Sequence, residues 1–241
     1  MIAVLASMKR EISAVAKLRC VENYPGGVRF VTTGVGREKV EASLAAMDEW
    51  EDKPSGIISL GYAAALQEGL EPGDLVISDS VTATGEEFCF ESDPDLLAQV
   101  RSVTEGVQPG RSRIASSVTL HGVATSRAEK RLIAAMTSAS IANMEDYWVA
   151  RWAFERGIPY VSVRSVLDTL SQEVPEFISK LAGMKLPVQV MGVAIQGIVR
   201  PEKLESLVRL FKEDRIARRS LKEFGASFLS GGLSAHSYAA T

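Results

Sequence analysis

Near the start of the chain stand Ile2-Ala3-Val4-Leu5-Ala6, then Ser7-Met8-Lys9-Arg10-Glu11, and later Val28-Arg29-Phe30-Val31-Thr32-Thr33-Gly34-Val35-Gly36. A five-residue apolar run suits a buried strand and is too short for a helix. Behind it Ile12, Val15 and Leu18 recur at helical spacing, which predicts an amphipathic helix over about 9–18. Pro25-Gly26-Gly27 reads as a turn and residues 28–33 as a second strand. Gly34-Val35-Gly36 then opens a helix whose Val40, Leu44 and Met47 share a face. Strand, helix, strand, helix is the order that parallel strands joined by helical crossovers require.

The same alternation continues outward from this stretch. Residues 56–60 read as a third strand ending at Gly61, and residues 75–78, behind the turn Glu71-Pro72-Gly73-Asp74, as a fourth. A helix is expected near Pro94 within the polar stretch 86–110. Strands near 113–117 and 118–121, a helix from about Ser126, a strand near 140–143 and a helix over 147–156 follow. Residues 160–166 form the most apolar strand, with Pro159 at its edge, where proline is tolerated. The pattern predicts one α/β domain over residues 1–241, with a mixed, largely parallel central sheet covered by helices. From about 201 to 229 the sequence turns amphipathic and locally basic, with Leu204, Leu207, Val208, Phe211, Ile216, Leu221, Phe224 and Leu229 among many charges. That segment reads as helix with a solvated face, or alternatively as a surface for a membrane or amphiphilic substrate.

Composition narrows the function. The 241 residues carry 27 Lys and Arg against 30 Asp and Glu, a net charge of −3, with 46% hydrophobic residues. Those values exclude a disordered chain and a disulfide scaffold, and the mild acidity offers nucleic acid no general attraction. Cys20 and Cys89 have no CxxC spacing, and no basic segment precedes the short N-terminal apolar run, so a reducing cytoplasm is expected. The apolar residues 186–199 are interrupted by Gln189 and Gln196 and fall short of a membrane span. Two histidines, His121 and His236, are too few to favour a His-built metal site or a Ser-His-Asp triad.

Glycine and carboxylate positions suggest where chemistry resides. Gly34-Val35-Gly36 lacks the third glycine of a dinucleotide fingerprint, since Lys39 holds its place, and this weakens a nucleotide-dependent oxidoreductase reading. Gly61-Tyr62-Ala63-Ala64-Ala65, expected at a strand end, lets backbone groups approach a ligand closely. Glu11, Glu145 and Asp168 each follow a predicted strand, so three acids from distant parts of the chain can meet at one sheet edge. Paired acids suit glycosidic cleavage, in which one protonates a leaving group and another activates water. A solvated first-turn role for Glu11 and a helix-capping role for Asp168 are the structural alternatives.

In order, Ser7-Met8-Lys9-Arg10-Glu11, Thr33-Gly34-Val35-Gly36, Gly61-Tyr62-Ala63-Ala64, Gly73-Asp74-Leu75-Val76-Ile77-Ser78, Asn143-Met144-Glu145 and Val163-Arg164-Ser165-Val166-Leu167-Asp168 resemble the nucleoside phosphorylase/nucleosidase superfamily. The likeness covers roughly the first 170 residues. It is similar to the 5′-methylthioadenosine/S-adenosylhomocysteine nucleosidases. Residues 68–74 and the helical C-terminus look like the hopanoid-associated phosphorylase branch. The resemblance implies cleavage of the N-glycosidic bond of a purine nucleoside, with adenine the expected base, by hydrolysis or phosphorolysis. It implies Asp168 as the acid at purine N7 and Glu11 as the base for water at C1′. Glu145 would hold the ribose hydroxyls and Met144 would pack on the ribose, with Met8, Asn143, Gly61, Tyr62 and Ala63 also lining the substrate. No metal or organic cofactor is implied, phosphate is the alternative co-substrate, and a homo-oligomer is expected. Membrane contact is expected only through the C-terminal helices.

Three departures from the family pattern bear on the site. Asn143 stands where many members have an acid, Leu167 replaces a serine that helps orient the catalytic acid, and Ala63-Ala64-Ala65 replaces an Ala-Gly-Gly turn. The arginine with which purine phosphorylases hold phosphate is absent near Ser59-Leu60, leaving Arg37 as a substitute or a solvated helix-start residue. Hydrolysis is therefore favoured over phosphorolysis, and a binding protein that kept the fold is the reading from another class.

Overall fold

The computed structural model describes residues 1–17, 21–22, 24–174 and 204–231. Leu18, Cys20, residues 186–199 and His236 lie outside the described residues. The strands are β1 (Ile2–Ala6), β2 (Val28–Thr32), β3 (Gly56–Ala65), β4 (Leu75–Ala83), β5 (Phe90–Glu91), β6 (Ser112–Thr119), β7 (Ile141–Asn143) and β8 (Tyr160–Asp168). The helices are α1 (Lys9–Ala16), α2 (Arg37–Asp48), α3 (Pro94–Val107), α4 (Arg127–Thr137), α5 (Asp146–Glu155) and α6 (Leu204–Ser230).

Local chemistry starts these helices where the sequence says it should. Asp93 caps α3 by accepting the Leu96 N–H at 2.9 Å, with Pro94 in the first turn. Ser126 caps α4 by accepting the Glu129 N–H at 3.2 Å. In α1 the third-position Glu11 reaches back to the Met8 N–H at 2.8 Å, half of a capping box.

Eight strands form one mixed sheet. β1 pairs in parallel with β2 and β3, β3 with β8, β4 with β6, and β6 with β7. The antiparallel pairs are β3–β7, β4–β8 and β4–β5. β3 lies between β1 and β8 up to Leu60, follows β8 to Ala63, where its register shifts, and pairs Ala64 and Ala65 with β7 while Ala64 stays opposite Asp168. A ring β3–β8–β4–β6–β7 results, and such closure removes exposed strand edges.

The strand assignments need three corrections. β3 does not stop at Gly61 but runs through Tyr62, Ala63 and Ala64 to Ala65. Poor strand formers there are carried by pairing on both sides, a tertiary effect that overrides propensity. Residues 113–121 hold one strand, β6, where two were expected. Asp168 ends β8 instead of following it.

Alternation along β1 shows how the core is divided. Ile2, Val4 and Ala6 pack with Val15 of α1 and Ala217, Leu221 and Phe224 of α6. Ala3 and Leu5 face Val40, Leu44 and Met47 of α2 and Trp152 of α5. Each fully buried Leu, Ile or Val contributes roughly 1.5–3 kcal/mol against the cost of ordering the chain. On β3 the same alternation sends Ile57 to the α2–α5 layer and Ile58, Leu60 and Tyr62 to the α1–α6 layer.

Candidate active site

The carboxyl ends of the parallel strands β1, β3 and β8, with the turn that follows β7, bring the candidate residues to one tract of β3. Gly61 lies opposite Arg164 and Ala64 opposite Asp168. At about 3.3 Å per residue, the tract from Gly61 to Ala64 is about 10 Å long.

Arg164 organises the Gly61 end. It is fully buried in β8, a strand almost continuously buried, and a buried guanidinium must be paired. Its Nε donates to Asp146 Oδ2 at 3.0 Å and to Ser162 Oγ at 3.2 Å, and its Nη2 donates to Ser59 Oγ at 2.9 Å and to Asp146 Oδ1. Nη1 is buried and has no hydrogen-bond partner among the described residues. It stands 3.9 Å from Glu145 Oε2. A Cβ on Gly61 would collide with this Nη1 and lie 3.4 Å from Glu11 Oε1. Glycine at 61 thus makes room for a guanidinium edge flanked by two carboxylates.

Both carboxylates are buried and held from behind. Glu11 Oε2 accepts from Ser7 Oγ at 3.0 Å and from the Met8 N–H at 2.8 Å, so Met8 serves through its backbone. Glu145 Oε1 accepts the Gly36 N–H at 3.4 Å, from a glycine whose φ of +86° few other residues adopt. Burial raises the Glu11 carboxyl above its usual range, with Arg164 opposing. Burial pushes Glu145 up to about 7, again opposed by Arg164 and assisted by the neighbouring Glu11 and Asp146 charges. The two acids feel each other and one cation, the arrangement in which proton affinities separate and acid and base roles become available.

At the Ala64 end, Asp168 has its own partner. Lys130 of α4, with no exposed surface, donates to Asp168 Oδ2, to the Thr169 carbonyl at 2.7 Å and to the Gln172 carbonyl at 3.0 Å. Burial raises the Asp168 carboxyl, Lys130 lowers it, and Glu213 of α6 adds to the rise. Glu11 and Glu145 therefore meet at Arg164, whereas Asp168 stands apart from them along β3, tied to Lys130.

Other residues expected at the site have different surroundings. The Asn143 side chain is engaged within its own turn. Its Oδ1 accepts from Thr119 Oγ1 and from the Glu145 and Asp146 N–H groups at 2.9–3.0 Å, and its Nδ2 donates to Asp146 Oδ2 at 3.0 Å. It shapes the turn that presents Glu145. Met144 is partly buried in that turn. Tyr62 points to the opposite face of β3 from Gly61, into the α1–α6 layer, with the Arg10 guanidinium 5.7 Å from its ring. Ala63 is buried against Val76 and Val166. Arg37 is bound to Glu41 at 3.0 Å and Glu86 at 3.4 Å and lies over Trp148 at 4.3 Å. Tyr147 and Trp148 are buried within this chain.

Sequence reasoning missed Arg164, Asp146 and Lys130. Arg164 had a signal, since one arginine inside an apolar strand demands a buried partner. Lys130 had none, because it sits in a helix rich in charges.

The chain is similar to known proteins in sequence and in fold. Residues 21–185 match the model of the phosphorylase superfamily. The 5′-methylthioadenosine/S-adenosylhomocysteine nucleosidase of an Exiguobacterium species is 24% identical over 184 residues, covering 68% of this chain and 78% of that protein. The enzyme of the same name from Staphylococcus aureus is 28% identical over 163 residues, 61% and 70% of the two chains. The Neisseria meningitidis nucleosidase in complex with methylthio-immucillin-A superposes with a TM-score of 0.72 at 16% identity, covering 95% of this chain and 98% of that one. Futalosine hydrolase of Helicobacter pylori gives 0.64 at 16% identity, covering 92% and 96%. The matched segment spans more than half of the molecule, and the chain belongs to the phosphorylase superfamily.

Proposed function

We propose that this protein cleaves the N-glycosidic bond of an adenine nucleoside, with water as the nucleophile. The observation that carries the reading is the buried Arg164 Nη1, without a hydrogen-bond partner among the described residues, between Glu11 and Glu145. A ribose bound there places its hydroxyls against Glu145 and its C1′ within reach of a water held by Glu11. The purine then extends along β3 toward Asp168. As the C1′–N9 bond breaks, its electron pair passes to the purine and Asp168 gives its proton to N7. Glu11 takes a proton from the water that adds to C1′, and the Glu145 charge favours the oxocarbenium-like sugar.

Water fits better than phosphate on electrostatic grounds. Glu11, Glu145 and Asp146 outnumber the one Arg164 cation, which disfavours a dianion, and Arg37 is already bound to two glutamates. The nucleosidase relatives support the same choice.

Adenine release from 5′-methylthioadenosine, followed with and without inorganic phosphate, tests the proposal. Release in phosphate-free buffer is expected, with Glu11→Gln and Asp168→Asn each lowering kcat by about 100-fold or more. Strict dependence on phosphate would replace hydrolysis by phosphorolysis. Adenine binding without turnover across a nucleoside panel would instead make the chain a binding protein.

A further inference from the structure

Lys130 is an expensive residue to bury, and neither the fold nor the cleavage step above requires a lysine there. Taking an ammonium and a carboxylate out of water costs about as much as their attraction returns, so an apolar pair of similar volume in place of both would stabilise the core equally well. All three of its donors are committed, one to Asp168 Oδ2 and two to the carbonyls of Thr169 and Gln172. The loop after β8 is therefore wrapped around the ammonium. Gln172 closes it further: its Oε1 accepts from the Thr169 N–H at 3.4 Å and its Nε2 donates to Glu213 Oε2 of α6 at 2.6 Å. The Val174 N–H donates to the Thr125 carbonyl at 2.8 Å, just before α4. Asp168 Oδ1 receives no hydrogen bond from a described residue.

We propose that Lys130 is the positioning residue of the leaving-group acid, fixing one oxygen of Asp168 so that the other faces the purine, and balancing the charge left when the proton departs. The inference rests on the reading of nucleoside cleavage given above. In that step Asp168 passes from neutral acid to carboxylate while its proton goes to N7. The Lys130 ammonium, itself unchanged, meets the new negative charge at contact distance. A lone buried Asp168 would hold its proton strongly and donate it poorly; the lysine corrects this without opening the site to water. Among the described residues the charged groups that face Asp168 are Lys130 from α4 and Glu213 from α6, while its β3 neighbour Ala64 is neutral. The two charges act in opposite senses, so removing each should move the acid in opposite directions.

The test combines the pH dependence of 5′-methylthioadenosine cleavage with a carbon-13 carboxyl titration of Asp168 in the free protein, assigned by Asp168→Asn. Lys130→Met is expected to raise the Asp168 titration by about one to three pH units. The high-pH limb of kcat/KM should move up with it, and kcat at neutral pH should fall about tenfold. Lys130→Arg, which keeps the charge, should leave the limb in place. Glu213→Gln, which keeps the hydrogen bond to Gln172 and drops a negative charge, should shift both downward. Should Lys130→Met not fold, Lys130→Gln removes the charge while keeping a donor and gives the same reading. A titration that loss of the lysine charge leaves unmoved, or activity that falls equally at every pH, overturns the proposal. If the wild-type protein releases no adenine, the cleavage reading fails and the catalytic part of this inference with it; the carboxyl titration still decides the pairing.

Discussion

Gly61 shows how a single residue is fixed by its neighbours. Its missing side chain is filled by the Arg164 guanidinium edge, with Glu11 Oε1 just beyond. Gly61→Ala presses on that edge, and Arg164 is bound so firmly by Asp146, Ser59 and Ser162 that it can move only at a cost. We expect a destabilisation of about 1–3 kcal/mol, measured by urea unfolding. A kcat loss larger than the stability change explains should accompany it. An alanine variant with wild-type activity would show that Nη1 does not need its present position. Asn143 carries a similar lesson. The sequence placed it among the ligands, yet its four hydrogen bonds are all internal, and it acts by shaping the Glu145 turn.

At the scale of elements, α6 is the helix that closes the α1 side of the sheet and touches the acid loop through Glu213. Gly225 allows its approach to α1. A Cβ there would lie 2.5 and 2.7 Å from the two methyl groups of Val15, a β-branched side chain with little rotameric freedom. Alanine is a better helix former than glycine by about 1 kcal/mol, so propensity and packing disagree at this position. Packing should win, and Gly225→Ala is expected to lower stability by about 1–3 kcal/mol in thermal or urea unfolding. A stabilised variant would mean that α6 can slide on α1 without loss. The exposed face of α6 carries Val208 and Phe211 together with Lys212, Arg215, Arg218 and Lys222, so two of its apolar residues lie among the basic ones and not in the core. No helix among the described residues is long and apolar enough to cross a membrane.

For the molecule as a whole, buried acids make stability depend on pH in an unusual sense. Glu145 holds its proton up to about 7 in the folded chain against 4.5 for the free side chain. The folded state thus binds more protons across that interval. The contribution is fully present below pH 4.5 and is lost as pH rises through about 7. Glu145→Gln, neutral at every pH, should flatten the decline, with a difference on the order of 3 kcal/mol between the two ends of that window. Tm recorded from pH 4.5 to 7.5 for both proteins checks this. A wild-type curve that parallels the Glu145→Gln curve would place the carboxylate in contact with water.

The alternation of five-residue apolar runs with helical periodicity determined the α/β class, the order of elements and most helix starts, because those signals are local and repeat along the chain. That the three acids lie at or near strand ends could also be read from the sequence, where each stands beside an apolar run. Only tertiary structure decided that β3 continues past Gly61, because pairing with β8 and β7 outweighs the poor strand propensity of an alanine run. It also decided which acids share a partner. Asp168 is held by Lys130, 38 residues away in sequence. Contacts between distant residues leave no periodic trace in the chain, and the burial that sets proton affinities exists only once the layers have closed.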